Sequence, residues 1–170
     1  MGPYQAVPAL RLQGSRFLRP LLAMRLVPLL ALVLAATAVQ AQPRTGAAPA
    51  HTLAVGAEAA SVALQAGGAD RNAVPGSGCS GYINNNQPSA KLTVSGDGPL
   101  AIYAVSGSDT TLLVSDPSGR WHCSDDANGS NPAVTFARAA PGTYVVWVGT
   151  FSPNAAAQAT LSAVRGQPVW

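Results

Sequence analysis

The sequence predicts an all-β domain, a sandwich or barrel of eight or nine short strands, carried behind a cleaved export leader. Three observations predict it. From His51 onward apolar or alternating runs recur at short intervals, clusters of Gly, Pro, Asn, Asp and Ser separate them, and helical periodicity of useful length is absent. The runs that read as strands are 52–55, 61–66, 90–95, 100–106, 111–115, 120–124, 133–137, 143–150 and 157–164.

The leader comes first. From Met24 a positive start precedes an apolar run and then small residues, which suits signal-peptidase cleavage after Ala41. Residues 1–41 are therefore expected to be a signal peptide, and the long lead-in ahead of Met24 suggests Met24 as the true start. The apolar stretch 26–39 has 14 residues and contains Pro28. A spanning helix needs about 20, so no stable membrane insertion is expected. No cysteine near the cut can carry a lipid. The mature chain is expected to be periplasmic or secreted.

Cleavage would remove Arg11, Arg16, Arg19 and Arg25 and no acidic residue. Of 10 basic and 7 acidic residues, six basic and seven acidic ones would then remain, a net charge of −1. The basic character of the whole chain thus belongs to the leader. Without a Lys/Arg cluster to neutralise phosphates, nucleic acid is excluded as a partner.

Residues 42–50 have Pro-, Ala- and Gly-rich linker composition and read as a flexible tail, leaving 51–170 as the β domain. The clearest alternation is at 90–95, where Leu92 and Val94 are expected inward and Lys91, Thr93 and Ser95 outward. Run 143–150 is apolar on both faces. It is either a central strand covered on both sides or a strand flanking a partner surface. Asp116-Pro117-Ser118-Gly119 is a turn that makes a hairpin of its flanking runs. Stretch 67–89 is too long for a structureless connection unless it is pinned.

Cys79 and Cys123, the only two cysteines, are expected to supply that pin. An even pair in an exported chain favours a disulfide, and two cysteines 44 apart match neither a redox motif nor a zinc site.

Three segments occur in order: Cys79-Ser80-Gly81-Tyr82-Ile83, then the run from Asp109 to Pro132 with Asp116-Pro117-Ser118-Gly119-Arg120-Trp121-His122-Cys123-Ser124-Asp125-Asp126 within it, then Gly142-Thr143-Tyr144-Val145-Val146-Trp147-Val148-Gly149-Thr150. Together they resemble the bacterial pre-peptidase C-terminal domain and its secreted relatives. The resemblance implies a jelly-roll-like β-sandwich and an accessory role without catalysis. It also implies calcium binding in some members, and a part in substrate contact, solubility or secretion. No protease domain precedes the matching region, so a carrier enzyme is not implied.

Asp125, Asp126, Asn128 and Asn131 cluster hard oxygens around Gly129, and Asp109 is a candidate fifth contributor, the donor type that calcium takes. EF-hand spacing is missing, and Asx-rich loops are also ordinary turn material. Both readings stand at this stage. Asn128-Gly129-Ser130 also matches a glycosylation acceptor, a modification that requires a suitable secretory pathway. His122 lies near Asp125 and Asp126, but no nucleophile-elbow context accompanies it, and the two histidines lie too far apart in sequence for a good zinc site. No enzyme is expected. Trp121, Tyr144 and Trp147 are candidates for an exposed binding surface, with core or rim packing as the alternative.

The functional expectation is an exported accessory or binding module, possessing calcium as its one candidate cofactor and an unidentified protein or carbohydrate partner. The alternative is a structural or adhesive envelope component that pairs with a partner chain, and the minor one is an enzyme of unknown type.

Overall fold

A computed structural model describes residues 42–72, 74 and 78–170. The leader, its cleavage site and Met24 lie outside these residues. Among the described residues the chain is all-β, and no helix is long and apolar enough to cross a membrane.

The eleven strands are β1 His51–Val55, β2 Ala60–Ala66, β3 Asp70–Arg71, β4 Tyr82–Ile83, β5 Ala90–Val94, β6 Gly98–Ser106, β7 Thr110–Ser115, β8 Trp121–Ser124, β9 Ala133–Ala139, β10 Gly142–Thr150 and β11 Ala157–Val164. All nine expected runs are strands, shifted by at most two residues at their ends. β3 and β4 are additions, two residues each, inside stretch 67–89. They are too short for a periodicity argument to reveal.

The strands form a sandwich of a seven-stranded and a four-stranded sheet. In the larger sheet β10 is the hub. β5 pairs with its Gly142–Val146 half, β4 with Thr150, and β7 with Val145 through Thr150. β1 extends the sheet from β5, β8 from β7 and β3 from β4. The β1–β5 pair is parallel, a departure from an all-antiparallel jelly roll. The smaller sheet runs β2-β11-β6-β9, antiparallel throughout.

The main core fills the space between the sheets. Leu92, Val94, Leu100, Ile102, Leu112, Val114, Tyr144, Val146 and Leu161 are all buried there. Each such side chain removed from water contributes about 1.5–3 kcal/mol. Strand alternation accounts for the selection. Leu92 and Val94 point in while Thr93 and Ser95 are exposed, as the sequence predicts.

A second core lies on the outer face of the seven-stranded sheet, where Val74, Ile83, Leu113, Val145 and Trp147 pack with Cys79, Trp121 and Cys123. Stretch 67–89 covers this face. Its pins are the Cys79–Cys123 disulfide, with Cα atoms 5.7 Å apart, and the indole N–H of Trp147 donating to the Asn84 carbonyl at 3.0 Å. Gly67 N–H donates to Val148 O, and Val148 N–H donates to Ser89 Oγ. Gly68 runs so close beneath that a Cβ there would overlap the Ile83 carbonyl, so only glycine fits.

This covering decides between the two readings of strand 143–150. β10 is a central strand buried on both faces, with Tyr144, Val146 and Val148 inward and Val145 and Trp147 under the loop. Segment 42–50, expected as a flexible tail, is instead tied to that same loop. Arg44 N–H donates to Asn85 O, Ala50 N–H donates to Pro88 O, and Pro43 is buried. Linker composition misled here because backbone hydrogen bonds, rather than side chains, hold the segment down.

Candidate functional site

The strand pairings divide the connections between two ends of the sandwich. One end, the turn end, carries 56–59, 95–97, 116–120 and 140–141. The other, the loop end, carries 67–69, 84–89, 107–109, 125–132 and 151–156.

At the turn end the β7–β8 hairpin is built as its sequence predicts. Gly119 N–H donates to Asp116 O at 2.8 Å, Asp116 N–H donates to Arg120 O at 2.9 Å, and Gly119 supplies a φ of 81°. The Asp116 side chain, only 4% exposed, organises the rest. Its Oδ1 accepts from Ser118 N–H at 2.9 Å, Ser118 Oγ–H at 2.6 Å and Arg120 N–H at 3.0 Å. Its Oδ2 accepts from Arg120 Nε and faces His122 Nε2, both at 3.0 Å. Burial alone would raise this carboxyl's pKa. The hydrogen bonds from Ser118, His122 and the Arg120 backbone outweigh burial and hold it well below the usual carboxylate range.

His122 does not belong to a catalytic triad. A triad histidine takes a proton from serine while its other nitrogen is held by a carboxylate. Here Ser118 and His122 both address Asp116, and the His122 ring packs edge-on against Phe136 at 4.8 Å. Phe136 in turn meets Tyr144 edge to face at 5.3 Å, and the Tyr144 hydroxyl donates to Ala140 O at 2.9 Å. Burial, and then the Asp116 charge, push the Tyr144 hydroxyl's pKa up. The set is a brace along the sandwich edge. The sequence marks it only as a turn, although the alternation Asp116-x-Ser118-x-Arg120-x-His122 carries its donors.

The aromatic surface expected at Trp121, Tyr144 and Trp147 is not assembled. Tyr144 and Trp147 are each 1% exposed, one in the main core and one under the loop, because β10 is covered on both faces. Trp121 is half-buried with its ring centroid 5.6 Å from that of Trp147. Exposed large apolar side chains occur elsewhere, at Val105, Phe151, Val169 and Trp170.

The Asp/Asn loop lies at the loop end, and two of its side chains, Asp125 and Asn131, accept hydrogen bonds from other parts of the fold. Asp125 accepts from Ser80 Oγ at 2.7 Å and so ties the loop to the segment beside Cys79. Asn131 Oδ1 accepts from Ser106 N–H at 2.8 Å, and the backbones of Asn128 and Asn131 bond each other across the turn. Partial burial, then the charges of Asp126 and Asp125, raise the pKa of Asp109, so these three carboxyls sit within electrostatic reach. Among the described residues no group of three or more His, Cys, Asp or Glu side chains is placed to hold a metal ion. The turn reading of Asn128 and Asn131 therefore has observed hydrogen bonds behind it, and Asn131's oxygen is already in use.

Two clefts flank loop 151–156, and composition pointed to neither of them. One, about 340 Å³, is lined by Arg71, Ser80, Tyr82, Phe151 and Pro153. Arg71 stands directly opposite Tyr82 across the β3–β4 pair, which puts both on one face. The other, about 570 Å³, lies between the ends of β1 and β2 remote from their connection. His51, Gln65, Asn84, Gln87, Ser89 and Asn154 give it its polar lining. These residues come from four separate segments, so no local motif could announce them.

No family model and no curated protein matches the sequence. Among solved structures the chain is similar to the pre-peptidase C-terminal domain of collagenase from Bacillus anthracis, at 16% identity over 72% of this chain and 99% of that one, with a TM-score of 0.47. It is also similar to Aeromonas hydrophila PliG, a periplasmic lysozyme inhibitor of g-type lysozyme, at 14% identity over 71% of this chain and 100% of that one, with a TM-score of 0.42. At such identities these are likenesses of fold alone.

Proposed function

We propose that the chain is an exported, non-catalytic binding module that meets its partner with the loop end of the sandwich. The observation that carries this reading is the distribution of surface. The outer face of the seven-stranded sheet around β7 and β10 is covered by the chain's own disulfide-pinned loop, whereas both clefts and the exposed Phe151 gather around loop 151–156. Loops held by a rigid sandwich are the usual place for binding residues. The disulfide and the leader support residence outside the cytoplasm. The absence of catalysis is supported by His122, whose ring is held between Asp116 and Phe136 at the opposite end from the clefts.

Retention of the secreted chain on the envelope fraction of its producing cells tests the proposal. Phe151→Ser is expected to lower retention about tenfold, as loss of an aromatic anchor does, while Arg138→Ser, exposed on β9, leaves it unchanged. Equal retention of all three proteins overturns the loop-end assignment. Casein or ester turnover abolished by His122→Ala in a folded variant overturns the non-catalytic half.

One observation favours a second reading, a structural component that pairs with a partner chain. Val105, Val169 and Trp170 are exposed around Tyr103 on the outer face of the four-stranded sheet, with the Trp170 ring 5.3 Å from Tyr103. Self-association lost in Trp170→Ser would favour it.

A further inference from the structure

We infer that the cleft between β1 and β2 is a binding site for a neutral oligosaccharide. The inference rests on the loop-end reading and names the ligand class for one part of that surface.

The shape follows from topology. β1 and β2 belong to opposite sheets and are joined by residues 56–59, so they are held together at that end. His51 opens β1 and Leu64–Ala66 close β2, both remote from the connection, and the cleft of about 570 Å³ lies there. That volume falls within the roughly 300–1,000 Å³ of small-ligand sites. Loops 84–89 and 154–156 complete the walls, and the Trp147–Asn84 and Ser89–Val148 hydrogen bonds fix loop 84–89 to the central strand. The walls are therefore preformed, which limits the ordering cost of binding.

The chemistry follows from the lining. Four side-chain amides, Gln65, Asn84, Gln87 and Asn154, line the cleft, with His51 as its one titratable group and no Asp, Glu, Lys or Arg. Among the described residues no intramolecular hydrogen bond engages the side chains of Gln65, Gln87 or Asn154. Asn84 uses only its oxygen, which accepts from Asn86 N–H at 3.0 Å, and its NH2 group is left to donate. Each free amide offers both a donor and an acceptor, the pairing that a hydroxyl or acetamido group satisfies. Ala50, Ala155 and Ala156 supply accessible apolar lining, which suits the carbon face of a sugar ring, while Leu64 and Ala66 are buried in the core.

Charge argues against one competitor and the source of the polar groups against the other. An anionic ligand would meet no fixed cation in this cleft. An extended peptide would add to the edge of β1 or β2, each the outermost strand of its sheet, through regularly spaced backbone groups. Three of the four amides stand instead on the loops, and tetraalanine tests the peptide directly. The Arg71–Phe151 cleft lies on the other side of loop 151–156, and Arg71 is the one charged residue in its lining.

The test is titration of the mature chain with cellotetraose, maltotetraose and tetra-N-acetylchitotetraose, alongside tetragalacturonate and tetraalanine, followed through side-chain amide resonances. At least one neutral tetrasaccharide is expected to shift Gln65, Asn84, Gln87 and Asn154 saturably. The Gln87→Ala, Asn154→Gly double variant is expected to weaken it about tenfold or more. Its melting temperature should be nearly unchanged, because both side chains are exposed and unbonded and glycine adopts the φ of 53° found at position 154. Tetragalacturonate and tetraalanine are expected to bind at least about tenfold more weakly. No saturable shift from any neutral saccharide up to about 10 mM, tighter binding of either control, or full binding by the double variant overturns the inference. If the saccharides fail while Phe151→Ser still lowers envelope retention, the ligand class falls and the loop-end reading stands. If both fail, both fall.

Discussion

Replacing Asp116 by alanine removes the acceptor of five hydrogen bonds at once, and the cost can be worked out from which oxygen takes which donor. Oδ1 holds the turn, accepting from Ser118 N–H, Ser118 Oγ–H and Arg120 N–H, and Oδ2 takes Arg120 Nε and His122 Nε2. A hydrogen bond to a charged group contributes about 1.5–3 kcal/mol, but members of one network do not add. The Arg120 side chain is 77% exposed, so its ion pair contributes little. A loss of about 3 kcal/mol is expected for Asp116→Ala, mostly from stranded backbone N–H groups. Asp116→Asn keeps an oxygen for the turn and gives up the Oδ2 partners, and should lose about half as much. At roughly 4 °C per kcal/mol for a domain of this size, alanine should lower the melting temperature by about 12 °C. The pH dependence separates charge from shape. The folded-state pKa of Asp116 lies below its unfolded value of about 3.9, so its stabilisation is complete above that value. It fades as pH falls through about 4 and below. The gap between wild type and Asp116→Asn should therefore close on acidification. Urea melts across that range measure it. A cost below about 1 kcal/mol for alanine, or a gap independent of pH, would refute the reasoning.

Other outcomes follow from the same structure. Intact mass with and without reductant should show one disulfide, and the Cys79→Ala, Cys123→Ala variant should lose about 4 kcal/mol by loop entropy while Trp147 and Trp121 gain solvent exposure in fluorescence. Trp147→Ala should cost about 3–5 kcal/mol, because the ring is buried beneath stretch 67–89; a cost under about 1 kcal/mol would mean the loop does not seal that face. Calcium at millimolar levels should raise the melting temperature no more than an ionic-strength control does, given the hydrogen bonds that occupy Asp125 and Asn131. A saturable rise that Asp125→Asn, Asp126→Asn abolishes would restore Asp109, Asp125, Asp126, Asn128 and Asn131 as a calcium site.

The strand pattern was readable because strand side chains alternate with a period of two, which local sequence records directly. Leu92 and Val94 against Thr93 and Ser95, the Asp116–Gly119 turn and the nine runs all follow from neighbours along the chain. The cysteine pair was readable for a different reason, since compartment chemistry leaves two cysteines few alternatives. Contacts between residues distant in sequence left no such record. Tyr144 and Trp147 read as a surface or as core packing, and burial was decided by the packing of the two sheets over Tyr144 and by the disulfide-pinned stretch across the far face of β10 over Trp147. Asp125 and Asn131 read locally as ligands or as turn residues, and their hydrogen bonds from Ser80 and Ser106, 45 and 25 residues away, are contacts that no local pattern records. The cleft that collects Gln65, Asn84 and Asn154 exists only because β1 and β2 diverge into opposite sheets. Local periodicity specifies which way a side chain points from its own strand, whereas what it meets there is set by how the sheets pack.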